Sequence, residues 1–231
     1  MPGTVTITTP AGETFSAYEV KPEGTPKAGL VLIQEIFGVN QVMRDLAADF
    51  AAQGYHVLVP DLFWRQEPGV DITDKSEADW QKAFALLNGF DQAKGVADIQ
   101  ATITHLRGLG VGKVGAVGYC LGGRLAVMSV IGTDIDASVS YYGIGLAALV
   151  PEFDKIEVPL LAHIAELDKF VPAAERDEVL AAWAGRPGIT AHVYAGQDHA
   201  FARVGGEHYS ADAANLANTR TADFLHAALA A

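Results

Sequence analysis

Cysteine is almost missing from this chain, since Cys120 is the only one among 231 residues. A single cysteine cannot form an internal disulfide, and no group of Cys and His residues has the spacing of a zinc site. We therefore expect neither a disulfide framework nor a bound metal. The thiol of Cys120 either fills the core or takes part in chemistry.

Positive charge is also scarce. The chain has 16 Lys and Arg against 28 Asp and Glu, which gives a formal net charge of -12. Contact with nucleic acids and with anionic membrane surfaces depends on clustered Lys and Arg, so this composition argues against both. Small molecules are the expected partners.

Long apolar runs are missing as well. No stretch reaches the roughly 20 apolar residues that cross a bilayer, and the first residues, MPGTVTITTPAGETF, lack the basic start and the apolar stretch of a secretory signal. We expect a cytoplasmic protein. No internal repeat, low-complexity tract or linker interrupts the sequence, so residues 1–231 are interpreted as a single domain.

Strand and helix patterns alternate along the chain. TVTIT and TFSAYEV, on either side of a turn, predict an N-terminal hairpin over 4–20. Apolar runs predict buried strands at 29–34, 55–60, 113–119, 137–143, 158–166 and 190–196. Helical periodicity predicts helices at 42–53, 76–89, 91–107, 120–130, 173–185 and from about 211. This order predicts an α/β fold with a mainly parallel central sheet and helices on both faces.

Two helix starts have recognisable caps. Asn40 is the expected N-cap of the first helix, and Ser76 with Asp79 three residues later has the spacing of a capping box. The polar, turn-rich residues 61–75 between these helices are interpreted as an excursion above the sheet.

The segment GYCLGG, residues 118–123, joins the predicted strand KVGAVGY to a helix. Gly-x-Cys-x-Gly between a strand and a helix matches the nucleophile elbow of α/β-hydrolases, with sulfur in place of the usual serine oxygen. Gly118 and Gly122 would occupy places where a side chain collides, and the helix N-terminus favours a thiolate at Cys120. The alternative is that Cys120 is a small buried hydrophobic residue.

Candidates for the two partners of the nucleophile follow in the order that α/β-hydrolases use, nucleophile, acid, histidine. Asp168 comes just after the strand LLAHIA, with Glu166 as the nearby competitor. His199 lies in the loop after the last predicted strand, whereas the other late histidines fall inside predicted strands or helices. We therefore expect Cys120, His199 and Asp168 to form a catalytic triad.

An oxyanion hole is expected beside the elbow. In this fold it combines the N–H after the nucleophile with an N–H from the loop after an early strand, here Leu121 and Ile36. Glu35, the neighbour of Ile36 in QEIFG, is unexpected there, because a negative charge opposes the charge that develops on the oxyanion.

QEIFG, GYCLGG, ELD and DHAFAR together resemble the dienelactone hydrolase family of α/β-hydrolases, and the similarity spans nearly the whole chain. The resemblance implies that a Cys-His-Asp triad hydrolyses a lactone without a metal or organic cofactor. It implies that Glu35 holds the resting thiol and takes its proton when an anionic substrate arrives. Arg203 matches the arginine that binds the substrate carboxylate and competes for Glu35; a solvated loop cation is the alternative reading.

One segment departs from the family pattern. Where dienelactone hydrolases of the chlorocatechol pathway carry an arginine and a tyrosine facing the substrate, this chain offers Trp80, Lys82 and Phe84. The second substrate-binding cation is therefore left open. Four aromatic residues are expected to line an apolar pocket: Phe37, Trp64, Phe84 and Phe201.

The sequence thus predicts a hydrolase that opens dienelactone to maleylacetate through a thioester on Cys120. A general carboxylesterase or thioesterase for unrelated small acyl compounds is the alternative, and a non-catalytic thiol sensor is a third reading. We expect a monomer, with larger assemblies left open.

Overall fold

The computed structural model describes residues 2–230. Eight strands form one sheet: β1 Pro2–Thr8, β2 Thr14–Val20, β3 Ala28–Ile33, β4 Tyr55–Pro60, β5 Val114–Tyr119, β6 Ala137–Tyr141, β7 Leu160–Ala165 and β8 Ile189–Tyr194. Six α-helices accompany them: α1 Gln41–Ala52, α2 Glu77–Asn88, α3 Gln92–Gly108, α4 Leu121–Gly132, α5 Ala173–Trp183 and α6 Ala211–Leu229.

The strand order is β1-β2-β4-β3-β5-β6-β7-β8. The pairs β1/β2 and β2/β4 are antiparallel and the remaining pairs are parallel. Every residue of β3, β4 and β5 is buried, as expected for parallel strands that are covered on both faces. The predicted α/β fold with a mainly parallel sheet and an N-terminal hairpin is confirmed.

Helices cover the two faces because the chain changes direction at β3. The crossover from β3 to β4 runs one way across the sheet, and the crossovers from β4 to β5 and β6 run the other way. With right-handed crossovers, α1 lies on one face while α3 and α4 lie on the other, where they contact each other. The carboxyl ends of β3 and β5 therefore form a topological switch point, where open α/β sheets bind ligands.

Both predicted N-caps are present, one in a modified form. The Asn40 side chain accepts the N–H of Met43, and Ser76 Oγ accepts the N–H of Asp79 at 3.1 Å. The Asp79 carboxylate does not return to Ser76, because it accepts the N–H and the hydroxyl of Thr73 instead. Asp79 therefore fixes the segment before α2 rather than closing a capping box.

The sequence analysis missed one element, a 3-10 helical segment at Leu146–Lys155. Its ten residues contain Pro151, which interrupts a regular helical pattern. The segment lies between β6 and β7 in the chain and packs against α4 and α5.

Candidate active site

Cys120 lies in a sharp turn between β5 and α4, at the switch point of the sheet. Its φ is 58° and its N–H donates to the carbonyl of Tyr141 at 3.0 Å. A Cβ on Gly122 would lie 2.3 Å from the carbonyl oxygen of Ile33, and one on Gly118 would lie 1.9 Å from the oxygen of Gly122. Only glycine fits at both positions, so the turn has the geometry of a nucleophile elbow.

His199 lies in the loop after β8, and its Nδ1 is 2.8 Å from Oδ2 of Asp168. The other ring nitrogen, Nε2, is buried and makes no hydrogen bond to any of residues 2–230. Burial lowers the pKa of His199, but the charge of Cys120 and the hydrogen bond to Asp168 outweigh it and raise the pKa to about 10. This arrangement favours the imidazolium form of His199.

Asp168, and not Glu166, meets the histidine. Oδ1 of Asp168 accepts the N–H of Phe170 at 2.9 Å, which fixes the carboxylate while Oδ2 faces the ring. The Glu166 carboxylate accepts the N–H of Gly196 at 2.8 Å, away from His199. The structure thus brings Asp168 and His199 together across 31 residues of sequence.

Hydrogen bonds join the loop that carries Asp168 to the loop that carries His199. The Asp198 carboxylate accepts the N–H of His199 at 2.6 Å and the N–H of Lys169 at 3.1 Å. The N–H of Leu167 donates to the carbonyl of Gln197 at 2.8 Å. These bonds hold the loop that carries Asp168 against the loop that carries His199.

Strained backbone is concentrated here. Within residues 2–230, three residues other than glycine have positive φ: Cys120, Tyr142 at 37° and Ala200 at 62°. Ala200 follows His199 directly, and the ring of Tyr142 packs edge-on against His199 with centroids 5.1 Å apart. Such strain costs about 1–3 kcal/mol per residue and clusters at functional sites.

The two expected oxyanion donors are near the elbow. Leu121 is the first residue of α4, and the first N–H groups of a helix have no acceptor within it. Ile36 lies just beyond β3, and its N–H makes no hydrogen bond to any group that the structure describes. Ile36 and Cys120 line the same cavity. Both N–H groups are therefore available to an oxygen from outside the protein.

Glu35 and Arg203 form a buried pair at this site. Arg203 Nε donates to Glu35 Oε2 at 2.8 Å and Nη2 donates to Oε1 at 3.0 Å. The third nitrogen, Nη1, donates to Oδ2 of Asp74 at 2.9 Å. Both carboxylate oxygens of Glu35 are on the guanidinium, which compensates a buried charge. That Glu35 also holds the resting thiol stays a prediction. Arg203 is buried and paired, and is not a solvated loop cation.

A small apolar cavity opens on Cys120. It is lined by Ile36, Phe37, Trp80, Phe84, Leu87, Cys120, Ile144, Phe170, His199 and Arg203. Phe37 and Phe84 lie where the sequence analysis placed them. Trp80 lies between them, stacked on Phe84 with centroids 5.5 Å apart and edge-on to Phe37 at 5.0 Å. An aromatic wall of Phe37, Trp80 and Phe84 therefore forms one side of the cavity.

Two of the expected pocket residues lie elsewhere. Trp64 stacks on Phe15, and its Nε1 donates to the buried Asp98, so it belongs to the core near the hairpin. Phe201 is fully buried against Tyr142 and Tyr194, where it supports the ring that packs on His199. Both were wrong as lining residues. Near a functional loop, an aromatic residue of the core and one that lines the cavity have the same sequence pattern, so the sequence does not distinguish them.

The cavity has a single arginine or lysine in its lining. Lys82, which lies on the same helix as Trp80, points to Glu67 at 2.6 Å on the exposed surface. Arg203 is therefore the only arginine or lysine among the residues that line the cavity. Residues 2–230 contain no group of three or more possible metal ligands, and none of the described helices is long and apolar enough to cross a membrane.

The sequence analysis missed Asp74, Phe170, Leu87 and Ile144. Phe170 could have been found, because it lies two residues after Asp168 and its ring packs on His199 with centroids 4.8 Å apart. Asp74 could not have been found, because no sequence pattern of a carboxylate in a polar loop indicates contact with an arginine 129 residues away.

Comparison with known sequences relates the chain to one family. The model of the dienelactone hydrolase family matches residues 15–229. A protein from Azospirillum brasilense with the provisional name carboxymethylenebutenolidase is 56% identical over 223 residues, covering 95% of this chain and 96% of the relative. A carboxymethylenebutenolidase from Pseudomonas putida is 39% identical over 216 residues, covering 93% of this chain and 92% of the relative.

Solved structures share the fold. A provisionally named dienelactone hydrolase from Klebsiella pneumoniae superposes with a TM-score of 0.83 and covers 97% of this chain and 98% of its own. Its sequence identity is 23%, so this likeness concerns the fold alone.

Proposed function

The chain belongs to the dienelactone hydrolase family, a family of hydrolases, and on that premise we propose that it cleaves a lactone or ester through a thioester on Cys120. The observation that carries the proposal is the buried set of Cys120, His199 and Asp168, in which Nδ1 of His199 lies 2.8 Å from Asp168. The charge of Cys120 and the hydrogen bond to Asp168 together raise the pKa of His199 to about 10. A thiolate beside an imidazolium is an activated nucleophile with a proton donor next to it.

In the first half of the proposed reaction, the Cys120 thiolate attacks the carbonyl carbon of the substrate. The N–H groups of Ile36 and Leu121 stabilise the resulting oxyanion. The tetrahedral intermediate collapses as the carbon–oxygen bond to the leaving group breaks, and His199 Nε2 gives its proton to the leaving oxygen. A thioester remains on Cys120, and His199 is neutral.

Formation of the thioester prepares His199 for the second half. Acylation removes the thiolate charge that raises the pKa of His199, while burial continues to lower it. The neutral ring, oriented by Asp168, then removes a proton from water, and the hydroxide attacks the thioester. Cys120 leaves as thiolate and His199 is again an imidazolium, so the cycle closes without a cofactor.

We propose dienelactone as the first substrate to test, with maleylacetate as the product. Arg203 lines the cavity and has the fork geometry that pairs with a carboxylate. The relatives named carboxymethylenebutenolidase support the same choice. Since Glu35 is already paired with Arg203 in this structure, an arriving carboxylate competes with Glu35 for the guanidinium.

A small neutral ester is the second candidate. It is favoured by the aromatic wall of Phe37, Trp80 and Phe84. It is also favoured by the position of Lys82, which points to Glu67 and leaves Arg203 as the only arginine or lysine of the cavity. A flat apolar acyl or alcohol group suits this wall better than a second negative charge.

The test is to compare kcat/KM for cis-dienelactone, trans-dienelactone and p-nitrophenyl acetate in the wild type and in Cys120→Ala. We expect the variant to lose at least about 1000-fold on every substrate that the wild type turns over. Full turnover in Cys120→Ala would overturn the cysteine mechanism.

A double variant separates the two substrate classes. Arg203→Ala combined with Glu35→Gln removes both charges of the Glu35–Arg203 pair, while Asp74 keeps Lys75 as a partner at 3.3 Å. Loss of dienelactone turnover with p-nitrophenyl acetate within about threefold of wild type supports the anionic substrate. Equal retention of both activities supports the neutral ester.

A further inference from the structure

The Arg203 guanidinium is shared between two carboxylates. Nε and Nη2 donate to Glu35, and Nη1 donates to Asp74. Arginine has five N–H donors, so three are occupied and two remain. A substrate carboxylate that reaches Arg203 in the cavity would be the third carboxylate on a single cation.

Asp74 is held firmly in this position. Its side chain is 11% exposed, and its backbone carbonyl accepts the indole N–H of Trp80 at 3.1 Å. The residue before it, Thr73, is fixed by Asp79 from the first turn of α2. The loop therefore joins the aromatic wall to the guanidinium through Asp74. Its main-chain carbonyl contacts Trp80, and its carboxylate contacts Arg203.

The Asp74 carboxylate is charged at neutral pH. Burial raises its pKa, but the charge of Arg203, the hydrogen bond from it and the neighbouring Lys75 together lower the pKa by more. Lys75 lies 3.3 Å from Asp74, but its side chain is 62% exposed and its charge is screened by solvent. The pair of Asp74 and Glu35 therefore more than balances the charge of Arg203 before any substrate binds.

We propose that Asp74 is a specificity-determining residue, which competes with carboxylate-bearing substrates for Arg203 and weakens their binding relative to neutral esters. The inference rests on the proposed function, since it concerns the substrates of the same cavity. Removing the charge of Asp74 while keeping an acceptor for Nη1 raises the affinity for carboxylates and leaves neutral ligands unaffected.

The test is isothermal titration calorimetry with phenylacetate, which carries a ring for the aromatic wall and a carboxylate for Arg203. The proteins are the wild type, Asp74→Asn, and the matched control Asp71→Asn from the same loop, whose carboxylate pairs with the surface residue Arg44 at 2.8 Å. Phenylacetamide, which has the same shape without the charge, is the neutral ligand.

We expect Asp74→Asn to bind phenylacetate about tenfold more tightly, because a charge-assisted hydrogen bond no longer competes with the ligand. Phenylacetamide binding should stay within twofold, and Asp71→Asn should match the wild type for both ligands. In kinetics, the gain on a dienelactone should appear in KM, with kcat unchanged within twofold.

Unchanged or weaker phenylacetate binding in Asp74→Asn overturns the proposal, as does the absence of phenylacetate binding in both proteins. The proposed function fails by a different result, namely wild-type protein that turns over neither p-nitrophenyl acetate nor a dienelactone. Because binding is measured by heat and not by turnover, the two failures are distinguishable.

Discussion

Two opposing effects set the state of His199. Burial in the cavity wall disfavours the imidazolium, whereas the charge of Cys120 and the hydrogen bond to Asp168 favour it. The second group of effects is larger, and the pKa is raised to about 10. The site therefore favours the imidazolium form of His199, and acylation of Cys120 would remove one of the contributions that raise the pKa.

This balance can be measured by NMR titration of the His199 ring in the wild type and in Cys120→Ser. The wild-type ring should titrate near pH 10, and the basic limb of the pH profile of kcat/KM should fall near the same value. In Cys120→Ser the pKa should drop by several units, because the hydroxyl carries no charge while burial remains.

The control for this titration is the exposed His226, which should titrate alike in both proteins. If His199 titrates near its ordinary value of 6.5 in both proteins, the ion pair between Cys120 and His199 does not exist.

The catalytic candidates could be predicted from sequence because each has a local signature and they follow a fixed order. The elbow identifies Cys120 through its glycines, and Asp168 and His199 each follow the end of a strand. The contact between Asp74 and Arg203 has no such signature. The position of Trp64 could not be predicted either. Its hydrogen-bond partner Asp98 lies 34 residues away in sequence, and the contact depends on how α3 packs on the sheet.

At the scale of elements, the elbow depends on close packing of backbone against backbone. Gly122, in the first turn of α4, lies against the end of β3, where a Cβ would be 2.3 Å from the oxygen of Ile33 and 2.6 Å from that of Gln34. Neither carbonyl can move without displacing the loop that carries Ile36. Gly122 therefore fixes the position of one oxyanion donor relative to the other.

We predict that Gly122→Ala lowers the free energy of unfolding by at least about 2 kcal/mol, because the methyl group has no space to enter. Urea denaturation measures this change. Gly132→Ala, at the other end of α4, is the matched control, since its Cβ would meet Val96 at an ordinary 3.8 Å. Gly132→Ala should be neutral or slightly stabilising, and equal effects of the two substitutions would contradict the packing account.

Several elements were predictable because their apolar residues follow a clear pattern. The strands β3, β4 and β5 are mostly apolar, and α1 has its buried residues at helical spacing, Met43, Ala47, Phe50 and Ala51. The segment Leu146–Lys155 was not predicted; it is a 3-10 helix with an internal proline that packs against α4 and α5.

At the scale of the whole molecule, the site is assembled from loops at one edge of the sheet. The loops after β3, β5, β7 and β8 bring Ile36, Cys120, Asp168 and His199 together, and α2 closes the cavity with Trp80 and Phe84. The parallel order of these strands is sufficient to predict that their carboxyl ends meet. The position of α2 over the cavity depends on side-chain packing, and Phe84 was expected there only through the family resemblance.

A second charged cluster holds the molecule together away from the site. Asp98 on α3 is fully buried and accepts two hydrogen bonds from Arg65, at 2.5 and 3.1 Å, and one from Trp64 at 3.0 Å. Arg65 also reaches Glu13 in the hairpin turn at 3.3 Å. This cluster joins the hairpin, the loop after β4 and α3.

Asp98→Ala should lower the free energy of unfolding by about 3 kcal/mol, because it leaves Arg65 and the Trp64 N–H without their buried acceptor. Urea denaturation is the measurement. Asp71→Ala, which breaks the exposed pair with Arg44, should change the same quantity by less than about 1 kcal/mol. Because none of the residues of this cluster lines the cavity, kcat/KM of folded Asp98→Ala should stay within twofold; a large loss of activity in a stable variant would contradict this separation.

The central claim is that Cys120 carries the acyl group, and intact-mass spectrometry of enzyme quenched with acid during turnover of p-nitrophenyl acetate tests it most directly. We predict a mass increase of one acetyl group in the wild type, mapped to the peptide that contains Cys120 and absent from Cys120→Ala. An acetyl group on another residue, or hydrolysis by Cys120→Ala at the wild-type rate, would contradict the account.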